Sequence, residues 1–384
     1  MFTVRDPQQH RVLRSATAQV YSMTNLRNYE AHVDECTELF LAILKKHEGR
    51  AIDVTEYIHW YAFDVIAAIT FQKRLGFLDE GKDMLGMVAT RSFSAKYFAF
   101  AGQVPWAHPY LLGNRRMMGL LAKLYPDMPD PHGTLFGHIE KQIEQYDLEE
   151  RQNGRTDFLQ QLRRKDDQDR ANHKRDLMNH LSNNVLAGSD TIAIALRAIF
   201  YHLVKTPRVY KNLVDEITEA DSKGLLSNLV TYQESQNLVY LQAVMKEAMR
   251  LHPSIAFPLE RVVPPEGTQL CGYDLPGGTI VGVLAPLINR NQEIFGHDVE
   301  DFRPERWIEA DSERLKLMER TYLTFGHGPR GCIGKNIAFL EMSKFVPEVI
   351  RRFDVQWASG SKPWTITAGW FWKQRDINLV FRSR

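Results

Sequence analysis

The sequence predicts a mainly α-helical single domain with minor β structure in a small β-rich region. Three observations carry that expectation. Apolar residues recur at helical spacing through most of the chain up to residue 251. Two later stretches, residues 259–283 and 355–381, alternate like strands, and the first carries Pro-Gly turns. No Pro/Gly/Ser-rich linker, charge block or repeat divides the 384 residues, although length alone suggests two or three domains.

The elements follow in order. Helical periodicity covers residues 7–21, 28–47, 55–72, 83–100 and 131–147, punctuated by Gly49, Gly76, the run Gly102 to Pro105, and residues 126–131. Residues 51–54 read as a short strand, and the charged stretch 163–175 as a solvated loop or helix end. A long helix is expected over 172–205, stopped by Pro207, then helices at 208–220 and 238–251. After the first β stretch and an irregular segment comes a helix at 333–353, followed by the β-like tail.

Composition excludes several classes. With 44% apolar and 11% aromatic residues the chain can bury a sizeable core. A net charge of +1 argues against nucleic acid as the main partner. Three scattered cysteines make no disulfide framework and point to a reducing, cytosol-facing location, with Cys36 and Cys271 read as buried small hydrophobes. No apolar run reaches the eighteen or so residues that span a bilayer. There is no secretory signal at the start.

Phe325-Gly326-His327-Gly328-Pro329-Arg330-Gly331-Cys332-Ile333-Gly334 carries the chemistry. A lone cysteine sits in a glycine-rich loop just before a helix. An iron bond, free N–H groups at the helix start and the helix dipole would together hold its thiolate, which burial alone disfavours. Glycine lets backbone pass close to a flat ligand, and an axial thiolate on haem iron favours O–O cleavage. The segment resembles the cysteine-ligand loop of the cytochrome P450 family, Phe-x-x-Gly-x-Arg-x-Cys-x-Gly, with Phe325, Gly328, Arg330, Cys332 and Gly334 at every fixed position. Five fixed residues arise by chance on the order of once in ten thousand chains of this length. The same letters also fit a dinucleotide fingerprint, Gly326-x-Gly328-x-x-Gly331, with apolar residues 322–325 before it and Asp354 after it. Too little chain follows for a doubly wound sheet, and Pro347 interrupts the helical run, so a nicotinamide-dependent dehydrogenase is the weaker alternative.

The resemblance implies a haem b monooxygenase that inserts one atom of O2 into a hydrophobic substrate. Electrons would come from NADPH through NADPH–cytochrome P450 reductase, with cytochrome b5 as a further partner. Cys332 is the implied axial iron ligand. Glu247 and Arg250, three residues apart on one helix face, with Arg306 in Phe302-Arg-Pro-Glu-Arg306-Trp307, match a structural triad needed for haem incorporation. Spacing alone says little, because Glu300/Arg303 and Glu348/Arg351 share it.

Ala187-Gly188-Ser189-Asp190-Thr191 could be a helix stop. The stripe Leu177, Leu181, Val185, Gly188, Ile192, Leu196, Ile199, Leu203 runs unbroken across it, which predicts one continuous helix. The segment resembles the family's Ala-Gly-x-Asp-Thr stretch, with Ile192 where a second Thr or Ser is usual. By that resemblance Gly188 makes room for dioxygen, Thr191 hydrogen-bonds it and helps deliver protons, and Asp190 relays protons from solvent. Arg330, Arg261 and Arg14 match cations for the haem propionates, His10-x-x-x-Arg14 standing for Trp-x-x-x-Arg. Phe93, Phe98, Ala187, Ile255, Phe257 and Phe371 are the implied substrate contacts, with Phe100 and the tip 370–372 nearby.

The tail Gly334 to Lys344 with Trp370-Phe-Trp-Lys-Gln looks like filamentous-fungal members of the pisatin-demethylase type, which implies secondary metabolism or detoxification by hydroxylation or O-demethylation. The start resembles the entrance to the family's third main helix. An incomplete N-terminus is therefore expected, and membrane contact, at the cytosolic face of the endoplasmic reticulum, only through the missing segment. A truncated, catalytically impaired relative is the alternative. Strands near 259–283 would then lack partners.

Overall fold

The computed structural model describes residues 4–111, 113–124, 133–149, 157–166 and 173–384. Its long helices are α1 (Pro7–Ala18), α2 (Glu30–Lys46), α3 (Val54–Phe71), α4 (Met87–Gln103), α5 (Gly133–Glu149), α6 (His173–Lys205), α7 (Pro207–Ser222), α8 (Val239–Leu251) and α9 (Lys335–Arg352). Their ends follow local chemistry. Asp6 accepts from the Gln9 N–H ahead of Pro7, Asp53 accepts from the Thr55 N–H, and Pro207 opens α7. Part of the charged stretch, residues 167–172, and the start of the expected helix at 131 lie outside the described residues.

The core is built on α3 and α6. Every residue of α3 except Glu56 and Tyr57 is buried, so it reads as an apolar cylinder rather than an amphipathic one. The α6 stripe is buried from Leu177 through Leu203 except at Gly188, which is half-buried, and each large aliphatic residue in it contributes about 1.5–3 kcal/mol. In contrast, α4 buries only Met87, Thr90, Ser94 and Ala101 among its described side chains.

The strands are β1 (Ala51–Asp53), β2 (Leu259–Val262), β3 (Thr268–Leu270), β4 (Tyr273–Leu275), β5 (Ile280–Val283), β6 (Phe353–Trp357), β7 (Thr365–Ala368), β8 (Trp372–Arg375) and β9 (Asn378–Ser383). One sheet has the order β1-β9-β6; the others are the pairs β2–β5, β3–β4 and β7–β8. In the first β stretch Val262 and Ile280, paired with each other, are each 65% exposed.

Every pairing among the described strands is antiparallel. Residues 323–325 form a 3₁₀ turn rather than a strand. The doubly wound sheet of the dehydrogenase alternative is therefore absent from the described residues. Two other expectations are corrected. The α9 helix runs straight through Pro347, its packing on a buried face outweighing the one missing N–H donor. Cys271 is exposed in the turn between β3 and β4 at φ +52°, not buried. Cys36 is buried as expected.

Candidate active site

The cysteine loop is closed by its own backbone. The Cys332 N–H donates to the Phe325 carbonyl at 2.7 Å, and the Gly331 N–H to the Gly328 carbonyl at 2.9 Å. Gly326 and Gly328 take φ +69° and +67°, which other residues adopt with strain. The Phe325 ring packs on Phe339 of α9 with centroids 5.6 Å apart. A side chain at Gly334 would put its Cβ 3.9 Å from Cys332 Sγ, beside the sulfur. Cys332 as a residue is exposed, while its sulfur is desolvated within the loop. Crowding by the loop raises its pKa, while the Gly334 and Lys335 N–H groups and the charges of Arg14 and Lys335 pull it down. The helix start thus acts in the expected direction without outweighing desolvation.

Two of the three expected cations gather here. Arg14 Nη1 donates to the Gly331 carbonyl at 2.8 Å, and Arg330 Nη2 to the Val4 carbonyl at 2.6 Å. His10 is buried, and burial together with the Arg330 and Arg14 charges lowers its pKa. Arg261 is not brought to the loop: it is exposed on β2 and donates to the Glu260 carbonyl.

The triad forms and is fully buried. Arg250 Nε and Nη2 donate to the two Glu247 oxygens at 2.9 Å each, and Arg306 Nε donates to Oε1 at 2.8 Å. Trp307 Nε1 and the Arg303 N–H complete the carboxylate's shell. The arginines' remaining donors reach the Asn289, Asp301, Phe295 and Asp298 carbonyls and the Asp298 carboxylate. Asn289 then turns to the loop, accepting from the Leu323 N–H at 3.1 Å and donating to Thr324 Oγ1 at 3.1 Å. Triad and cysteine loop are therefore one hydrogen-bonded unit. Neither comparison pair with the same spacing forms: Glu300 pairs with Arg290, and Arg351 with Asp221.

On α6, Gly188 has a packing task. A Cβ there would lie 2.8 Å from Ile66 Cγ1 of α3, so the two helices approach closely only over a glycine. The missing side chain leaves room for Ile66. Thr191 Oγ1 donates to the Ala187 carbonyl at 2.7 Å, and its backbone carbonyl accepts from Ser254 Oγ at 2.8 Å.

Asp190 is buried and gripped from three elements. Lys373 Nζ of β8 is 2.8 Å from Oδ1, Arg91 Nε of α4 is 3.1 Å from Oδ2, and His59 Nε2 of α3 is 3.1 Å from Oδ1. Burial would raise its pKa, but the His59 hydrogen bond and the Lys373 and Arg91 charges hold it well below the usual carboxylate range. Sequence reading missed His59, Arg91 and Lys373, because nothing in their local patterns marks them.

The implied substrate residues divide into two groups. Ile255 and Phe371 form an antiparallel bridge, and Phe257 stacks on Trp370 at 5.0 Å. Ser254 ties this group to Thr191, and Ala187 is exposed one helical turn away. Phe93 and Phe98 are exposed on α4 and make no described contact with that group.

One exposed cysteine, two guanidiniums on the loop side and an exposed α6 face at Ala187 fit an iron porphyrin bearing two carboxylates. Each guanidinium has five donors and spends few on carbonyls. The cytochrome P450 family matches residues 1–380. The cytochrome P450 monooxygenase cicH of Emericella nidulans is 36% identical over 97% of this chain and 74% of its own length. A pisatin demethylase of Fusarium vanettenii is 34% identical over 97% and 71%. The crystal structure of the cytochrome P450DA heme domain superposes with TM-score 0.79 at 17% identity, covering 98% of this chain and 76% of that one. Fold, loop and relatives agree: the chain belongs to the cytochrome P450 family.

Proposed function

We propose that this enzyme hydroxylates or O-demethylates a hydrophobic, ring-bearing molecule in fungal secondary metabolism or detoxification. As a cytochrome P450 it is a haem b monooxygenase that uses O2, a small-molecule substrate and electrons from a redox partner. The proposed partner is NADPH–cytochrome P450 reductase, with cytochrome b5 as a second donor, at the cytosolic face of the endoplasmic reticulum. No helix among the described residues is long and apolar enough to cross a membrane. All 384 residues are proposed to act as one haem-thiolate domain.

The bound haem supplies the oxygen chemistry. Cys332 would hold the iron through its thiolate, and Arg14 and Arg330 would neutralise the propionates. Thr191 holds a proton at Oγ1 on the exposed side of α6, with lone pairs free to accept. Asp190, ionised one residue away, is the group that passes protons inward. The Glu247 unit holds the loop in place and touches no reactant. The observation that carries this reading is the exposed Cys332 at the start of α9 beside Arg14 and Arg330.

A reduced-plus-CO difference spectrum tests it. Cys332→Ser abolishes the red-shifted band, whereas Cys36→Ser and Cys271→Ser keep it; loss of the band in Cys36→Ser alone overturns the assignment. Thr191→Ala keeps haem but releases NADPH-derived electrons as hydrogen peroxide. Unchanged coupling of NADPH use to product in that variant would remove Thr191 from proton delivery.

A further inference from the structure

Two cations from different elements meet on one buried carboxylate, Asp190. Arg91 and Lys373 both pair with Asp190, and among the described residues neither has a second carboxylate partner. Burial lowers the pKa of His59 despite the carboxylate beside it, so the imidazole adds no compensating role as an anion's partner in charge. Arg197, on the next turns of α6, faces Asp53 and Glu56 as well as Asp190. Arg91 and Lys373 therefore share the single carboxylate of Asp190 between them.

Neither cation is shut off from solvent. Arg91 and Lys373 keep 18% and 20% of their side chains exposed. Their other donations are long: Arg91 to the Leu186 carbonyl at 3.5 Å and Lys373 to Ser92 Oγ at 3.4 Å. Both stand against the Phe371 ring, at 5.4 and 5.6 Å from its centroid. Phe371 bridges Ile255, in the turn that Ser254 fastens to Thr191. A partly buried cation that holds only a share of one carboxylate, beside an apolar wall, gains from a further anionic partner.

We propose that the substrate carries a carboxylate, which docks on Arg91 and Lys373 beside Phe371 while its ring system lies on the apolar residues near Thr191. Such charge-assisted pairs are short and strong, and Arg offers a planar fork that matches a carboxylate. This rests on the monooxygenase reading and adds the substrate's chemical class to it.

The test uses haem-loaded full chain and matched neutral and acidic probes: 2-naphthylacetic acid against 2-naphthylacetamide, with one- and three-ring acid/amide pairs alongside. Dissociation constants come from tryptophan fluorescence quenching and from the Soret shift. The acid of at least one pair should bind roughly tenfold tighter than its amide, the worth of one charge-assisted contact. Lys373→Gln and Arg91→Gln should each bring the two within about threefold, and Lys373→Arg should restore the preference. Equal binding of every acid and amide, no binding by any pair, or a preference that survives both Gln variants overturns the proposal. A chain that prefers acids yet lacks the thiolate CO band sinks the monooxygenase reading and leaves the acid site standing; the reverse result removes the acid site alone.

Discussion

Glu247 and Asp190 are both buried carboxylates gripped by two cations, yet the two sites differ in closure. Around Glu247 the arginines spend their other donors on backbone carbonyls and on Asp298, and all three charged side chains are shut off from solvent. Around Asp190 the cations make long secondary contacts and remain partly exposed. A buried ion pair adds little net stability, but a closed one is ruinous to break. The closed site therefore behaves as framework, and the open one keeps charge available for protons or a ligand.

Removing the carboxylate from each site measures that difference. Glu247→Ala strands Arg250 and Arg306 without water and should cost about 3–5 kcal/mol. Thermal melts should show the loss, and purified protein should be aggregated or haem-free. A haem-loaded variant with an unchanged melting temperature would show that the triad is not framework. Asp190→Asn should cost less, roughly 1–3 kcal/mol, because Arg91 and Lys373 reach solvent. It should retain haem while coupling falls; equal losses of stability at the two sites would erase the distinction.

A third buried carboxylate sharpens the comparison from the other side. Glu341 of α9 is fully buried, and neither oxygen has a hydrogen-bond partner among the described residues. Burial raises its pKa well above 4.5, so the folded chain holds the proton that the unfolded chain releases. The stability this gives is fully present below that pH and is lost as pH rises towards the folded pKa, at about 1.4 kcal/mol per pH unit. Glu341→Gln should lack this slope in urea melts at pH 5 to 7; identical slopes would mean the carboxyl has found a partner.

How legible each part was depends on how local its physics is. The cysteine loop was readable because one contiguous segment carries thiol, glycines and helix start. Continuity of α6 was readable because its stripe keeps phase through Gly188. The triad needed the family pattern, since equal spacing at Glu300/Arg303 and Glu348/Arg351 produced different partners. The helix Ser312–Thr321 was missed because only Met318 is buried on it, too little for an apolar stripe. Arg91 and Lys373 were missed because they meet Asp190 only through tertiary folding. Pro347 misled because its local cost was weighed without the buried face that carries α9 through it.

The sparse attachment of α4 has a kinetic consequence. With few buried side chains and an ion cluster as its main polar tie, its amides should exchange with deuterium through local opening, far sooner than those of α3. Raised ionic strength should hasten that opening by screening Arg91 from Asp190. Such an opening would part Arg91 from Asp190 while the buried α3 keeps its place.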